Sequence, residues 1–271
     1  MGLDVVSERV IRWYACSLCE QEYHGVVSCA LGWACWKTYV GRPETDHIRS
    51  NAMNLLGNGL ADVKHHEDTL TVREADLAMM RRIGASEESI LVVQGNLAST
   101  YTALGRLEEA SRIVRDVYSG YLKLAGEEHE KTLIEANNYA SSLRQLKRFE
   151  EAKSLMLKMM PVARRVFGGN HEVMLMMRQN YALALYRDDG ATLDDFREAV
   201  NTFEDLARIA RRVLGGSHPL TTEIEQTLQK VRAALRARET TSNKTTIYFR
   251  PRNSLCRFGF CFGASVDPYS R

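Results

Sequence analysis

The densest chemistry in the chain lies near its start, in CSLCEQEYHGVVSC (16–29). Cys16, Cys19, His24 and Cys29 follow C-x2-C-x4-H-x4-C, a spacing that suits four thiolate and imidazole ligands closing on one zinc ion, and Cys35 is near enough to replace one of them. The stretch lacks the glycines that small zinc knuckles place after the second Cys and before the His, having Glu20 and Tyr23 there. Two readings stay open. Either these residues hold zinc, or they belong to ordinary helical packing, with Cys29, Trp33 and Trp36 as apolar contacts and His24 at a turn.

No other stretch offers a metal or catalytic set. His129, His171 and His218 are spread along the chain and cannot converge on one ion, so they read as turn residues, and the adjacent His65 and His66 point to different helix faces. Acidic pairs fall at helix starts, where they complement the helix dipole. With no paired general acids, no Gly-rich phosphate loop and no Ser/His/Asp set, an enzyme is not expected, and zinc is the one cofactor in question.

Lys plus Arg (36) barely exceeds Asp plus Glu (34), which argues against nucleic acid as a partner. Six cysteines in 271 residues without a charged-then-apolar leader point to a reducing, cytoplasmic setting. The most apolar run, GVVSCALGWACWKTYV (25–40), falls short of the roughly 20 residues that span a bilayer, so no membrane span is expected.

The elements that position these residues are helices in a repeat. NLASTYTALGRLEEA (96–110) falls on NYASSLRQLKRFEEA (138–152) at a shift of 42, and Asn180 and Ala182 follow one period later. A five-residue insertion near DDGAT (188–192) then delays the second half. GEEH (126–129), GGNH (168–171) and GGSH (215–218) mark the joints, with Gly126, Gly168 and Gly215 placed for a left-handed helix end. Apolar residues recur at three and four, break at Gly105-Arg106 and resume, giving two helices per unit. Ala98, Ala140 and Ala182 in the first helices, with Ala110, Ala152 and Ala199 in the second, let helices approach closely, so each hairpin is stabilised by its neighbours.

These motifs resemble tetratricopeptide repeats, and the 42-residue period is similar to the longer repeats of kinesin light chains. The resemblance implies an all-α, right-handed solenoid of antiparallel helix pairs whose concave face, lined by the first helices, receives a peptide or helical segment of a partner protein. Three regions are expected: 1–47, a degenerate leading hairpin with the possible zinc site, its first helix VSERVIRWYACSLC and its second beginning at Gly25; 48–238, about four repeats plus a capping helix, with Gly57 and Thr69 as the small residues of the degenerate first repeat; and 239–271, a disordered basic tail.

Asn96, Asn138 and Asn180 share one position in three first helices, and such a ladder of carboxamides suits either a clamp on a bound peptide backbone or bonds inside the solenoid. Asn137, Ser141, Arg144, Gln145, Gln179, Tyr186 and Arg187 belong to the same groove candidates, with Arg144 and Arg187 able to pair an acidic ligand. The function expected is a non-catalytic scaffold. The alternative is a zinc-binding adaptor, a finger at 16–35 joined to the solenoid, in nucleic-acid or ubiquitin-pathway work.

Overall fold

The structure, a computed structural model, describes residues 10–248. Ten helices follow one another among them: α1 (Gly25–Tyr39), α2 (His47–Asp62), α3 (His66–Arg82), α4 (Glu87–Ala103), α5 (Leu107–Ala125), α6 (Glu130–Gln145), α7 (Phe149–Phe167), α8 (Glu172–Arg187), α9 (Leu193–Val213) and α10 (Pro219–Tyr248). Each packs on the next, and α6 also touches α8, so hairpins α2/α3, α4/α5, α6/α7 and α8/α9 stack as an α-solenoid closed by α10. The seams are where the alanines are: Ala98, Ala110, Ala140, Ala152, Ala182 and Ala199 are at most 2% exposed. Larger side chains fill the space beside them, among them Val117, Leu133, Met156, Met174 and Phe203, and each such burial stabilises by about 1.5–3 kcal/mol.

The joint motif does more than turn the chain. His129, His171 and His218 sit at the N-cap, and their Nδ1 atoms accept from the backbone N–H of Lys131 (3.2 Å), Val173 (3.3 Å) and Leu220 (3.2 Å). Asp46 and Ser86 do the same for α2 and α4, so every first helix starts on a side chain that satisfies one of its orphan donors. Gly126 and Gly168 have positive φ (85° and 82°), but their ψ of 175° and 165° lies outside the left-handed helical region and in one that only glycine occupies readily. The insertion at 188–192 is closed by Asp188 accepting from Gly190 N–H and by a reciprocal Thr192–Asp195 capping box.

The leading segment departs from the expected hairpin. The helix expected through VSERVIRWYACSLC is absent over 12–19: an antiparallel bridge joins Ala15 to Glu22, and Cys16 N–H donates to the Gln21 carbonyl at 2.8 Å. The turn closes because Glu20 takes φ 58°, the conformation that a glycine, absent from this stretch, would adopt more readily. α1 does begin at Gly25 and packs on α2 through reciprocal glycines. A Cβ on Gly59 would lie 2.7 Å from Cys29 Cα and Ser28 O, and one on Gly32 would lie 2.9 Å from Leu55 O. Gly57 has a different job from its counterparts in later repeats, since its missing Cβ leaves room for Arg73, whose Nε would be 3.3 Å away. At the other end α10 continues through the boundary expected at 239, and 249–271 lie outside the described residues.

Candidate functional site

The first helices carry a trough lined by both polar and apolar side chains. Between α4 and α6 lies a cavity of about 550 Å³ lined by Asn96, Ser99, Lys131, Glu135, Asn138 and Gln145. Between α2 and α4 lies another of about 400 Å³, lined by Ser50, Asn54 and Asp76 among others, and Val92 and Asn96 stand on the wall between the two and line both.

The carboxamide ladder divides into two roles. Asn96 Nδ2 donates to Asn54 Oδ1 (2.9 Å), a link between adjacent repeats made by residues one period apart. Asn180 Nδ2 donates to Asn137 Oδ1 (2.9 Å), while its own Oδ1 accepts from Arg144 Nε (3.2 Å). Asn137, Gln179 and Asn180 are buried, and Gln179 Nε2 reaches Glu223 Oε1 on α10 at 2.8 Å. These residues weld repeats together. Asn138 is exposed and donates to Glu135 Oε2 (3.2 Å); with Asn96, Ser141 and Gln145 it faces the α4/α6 cavity. Arg144 also donates to Ser141 Oγ (3.4 Å), and Arg187 lies over the Tyr186 ring, 5.8 Å from its centroid, with Nε 3.3 Å from the hydroxyl.

The trough also holds charges that the repeat pattern does not single out. Burial raises the Asp76 carboxyl to about 6 despite the hydrogen bond that Ser50 Oγ donates to it at 2.9 Å. Burial likewise raises Glu135 against the opposing bond from Asn138. Neither has an ion-pair partner among the described residues, since Lys131 is paired to Glu88. Burial pulls the Arg144 guanidinium down, and its hydrogen-bond acceptors are neutral. The sequence carries one signal of this trough: Asn54 stands one period before Asn96 in the degenerate repeat.

The Cys/His set is not gathered. No three His, Cys, Asp or Glu side chains among the described residues stand where they would hold a metal ion. Cys16 and Cys19 do meet at the hairpin turn, where the Cys16 thiol is lowered by the backbone N–H groups of Leu18 and Cys19, by the Cys19 thiol and by Tyr23. Cys29 lies on α1, where its backbone is the surface on which Gly59 rests, and His24 precedes α1 as its N-cap residue. Trp33 is 43% exposed and not the packing residue expected, whereas Trp36 packs against the cluster of Cys35, Tyr39, Ile48 and Ala52. No helix among the described residues is long and apolar enough to cross a membrane.

The tetratricopeptide-repeat family model matches residues 91–130 and 136–172. No curated protein matches the chain in sequence. Among solved structures, the fold is similar to that of Podosopora anserina repeats described as nearly identical TPR-like repeats of a kinesin light chain. There the TM-score is 0.55 at 19% identity, covering 74% of this chain and 98% of that one. BtubC (BKLC) from P. vanneervenii gives 0.55 at 14% identity, covering 88% and 98%. A Rap protein in complex with Competence and Sporulation Factor gives 0.52 at 14% identity, covering 78% of this chain and 59% of that one.

Proposed function

We propose that this chain, a tetratricopeptide-repeat protein with the fold of kinesin light chain-type repeats, is a non-catalytic scaffold that holds an extended segment of a partner protein along the trough of its first helices. The observation that carries the proposal is the trough itself, in which Asn138, Gln145 and Ser99 leave side-chain groups exposed to bond a peptide backbone. The likeness to a Rap protein solved with a bound factor supports the same use of the fold. Asp76 and Glu135, carboxylates without cations, favour a segment bearing Lys or Arg over the acidic ligand expected from Arg144 and Arg187. Cys16, Cys19, Cys29 and Cys35 are free thiols, which suits the cytoplasm.

Panning a randomised peptide library against the purified chain tests this. Basic peptides should be enriched, and Asp76→Asn with Glu135→Gln should weaken them at least about 10-fold, the loss of one to two desolvated charge contacts. Enrichment unchanged by these substitutions and by Asn138→Ala would overturn the groove assignment.

A further inference from the structure

The two ends of the described solenoid present different surfaces. The outward stripe of α10 reads Thr222, Gln226, Gln229, Ala233 and Arg236, all exposed, which is the polar outer face that a terminal element of a stack needs. α1, the first helix among the described residues, packs on α2 through Gly32, Cys35 and Tyr39 and turns outward Val26, Ala30, Trp33, Lys37 and Val40. Val26 is 78% exposed and Val40 40%, so with Trp33 three large apolar side chains stand in one row. A helix that carries apolar residues on both faces is ordinarily covered on both.

The outward residues of α1 fall at intervals of four, three, four and three. That is the 3.5-residue spacing with which one helix seats its side chains between those of another. The row is also matched to itself. About a two-fold axis through Trp33, an antiparallel second copy sets Val26 of each copy against Val40 of the other and Trp33 against Trp33. The methyl of Ala30 then lies beneath the Lys37 stem of the other copy, whose ammonium reaches water at the edge. The two lysines fall on opposite sides of the axis, about 12 Å apart along it, beyond the roughly 8–10 Å over which exposed charges interact. A head-to-tail stack of α1 on α10 would instead press the apolar row against the polar one.

We propose that α1 is the contact surface of a homodimer, in which the outward rows of two copies pack antiparallel across a two-fold axis at Trp33. A helix of 15 residues is about 22 Å long and covers less than the roughly 800 Å² per partner of a standard interface, so monomer and dimer should exchange in the micromolar range. None of these side chains lines the trough, and the proposal does not rest on the peptide reading.

Sedimentation equilibrium of the full chain from about 1 to 200 µM tests it, and should show a monomer–dimer equilibrium that goes no further. Val26→Glu and Val40→Lys should each weaken the dimer at least about 10-fold with circular dichroism unchanged. The two together in one chain should recover most of that loss, because antiparallel packing brings each new carboxylate to a new ammonium. Leu157→Glu, at an apolar residue of α7 that is also exposed, should change nothing. A monomer throughout, growth past the dimer, an equal loss in Leu157→Glu, or a double variant no better than the single ones would each overturn the proposal. So would a chain that dimerises only once residues 1–9 are deleted, which would make that segment the cover. Should a variant fail to fold, hydrogen exchange of the unaltered chain decides: protection of α1 should rise with protein concentration while that of α10 does not, and equal behaviour of the two would overturn the proposal.

Discussion

Asp76→Asn should stabilise the protein near neutral pH, and the size follows from the carboxyl's surroundings. Burial raises it from 3.8 to about 6, and the only opposing contribution is the bond from Ser50. A native carboxyl of raised pKa binds its proton more tightly than the unfolded chain does. Stability is therefore greatest below about pH 4, falls as pH rises through about 6, and stays reduced above it. At about 1.4 kcal/mol per pH unit, that rise makes the cost about 3 kcal/mol. The Asn amide keeps an acceptor for Ser50 but buries an NH2 group, which deducts about 1 kcal/mol and leaves a gain of about 2. Urea denaturation of both proteins at about pH 7.5 and about pH 4 measures it, with hydrogen exchange of the α3 and α4 amides as a local readout, since repeat arrays need not unfold in one step. Carboxylates held low by their partners, such as Asp46 and Asp195, lose their contributions at lower pH and cancel in the difference between the two proteins. A gain absent at about pH 7.5, or undiminished at about pH 4, would refute the reasoning.

Three further outcomes follow from the packing. Gly59→Ala should cost about 1–3 kcal/mol by forcing a methyl against the Ser28–Cys29 backbone, and faster hydrogen exchange in α1 than in α6 would locate the damage. Asn180→Ala should cost about 2 kcal/mol in a denaturant titration, because it strands buried groups on Asn137 and Arg144, whereas exposed Asn138→Ala should cost under about 0.5 kcal/mol. In a timed alkylation followed by mass spectrometry, Cys16, its thiol lowered, should react well before Cys35, which is 1% exposed and pushed up to about 11 by burial. Equal rates would contradict the geometry of the hairpin turn.

The solenoid was legible because its determinants are local and periodic: an alanine every 42 residues marks a helix seam whatever surrounds it, and the G-x-x-H joints mark where helices begin. The site was less legible because a period fixes a residue's place on its own helix and not its neighbour on the next. Asn96, Asn138 and Asn180 are equivalent in sequence, yet Asn96 meets Asn54, Asn180 meets Asn137 and Asn138 meets the open trough. Extending the period backwards also fails at 12–19, where the fold depends on a single left-handed residue, Glu20, that no repeat register encodes.

The departures from periodicity are accordingly more informative than the matches. Gly57 and Arg73 are one such departure, made twice: the glycine leaves room for the Arg73 side chain, whose Nε would lie 3.3 Å from a Cβ there, and the guanidinium fills a place that later repeats give to Val, Met or Phe. Packing alone would favour the apolar residue, because a buried cation among neutral acceptors forfeits water without gaining a counter-charge. Asp76 stands about one helical turn further on and carries the opposite charge into the trough, yet no ion pair joins the two. The first full hairpin thus holds two uncompensated charges of opposite sign lining different cavities, at positions where later repeats carry apolar side chains.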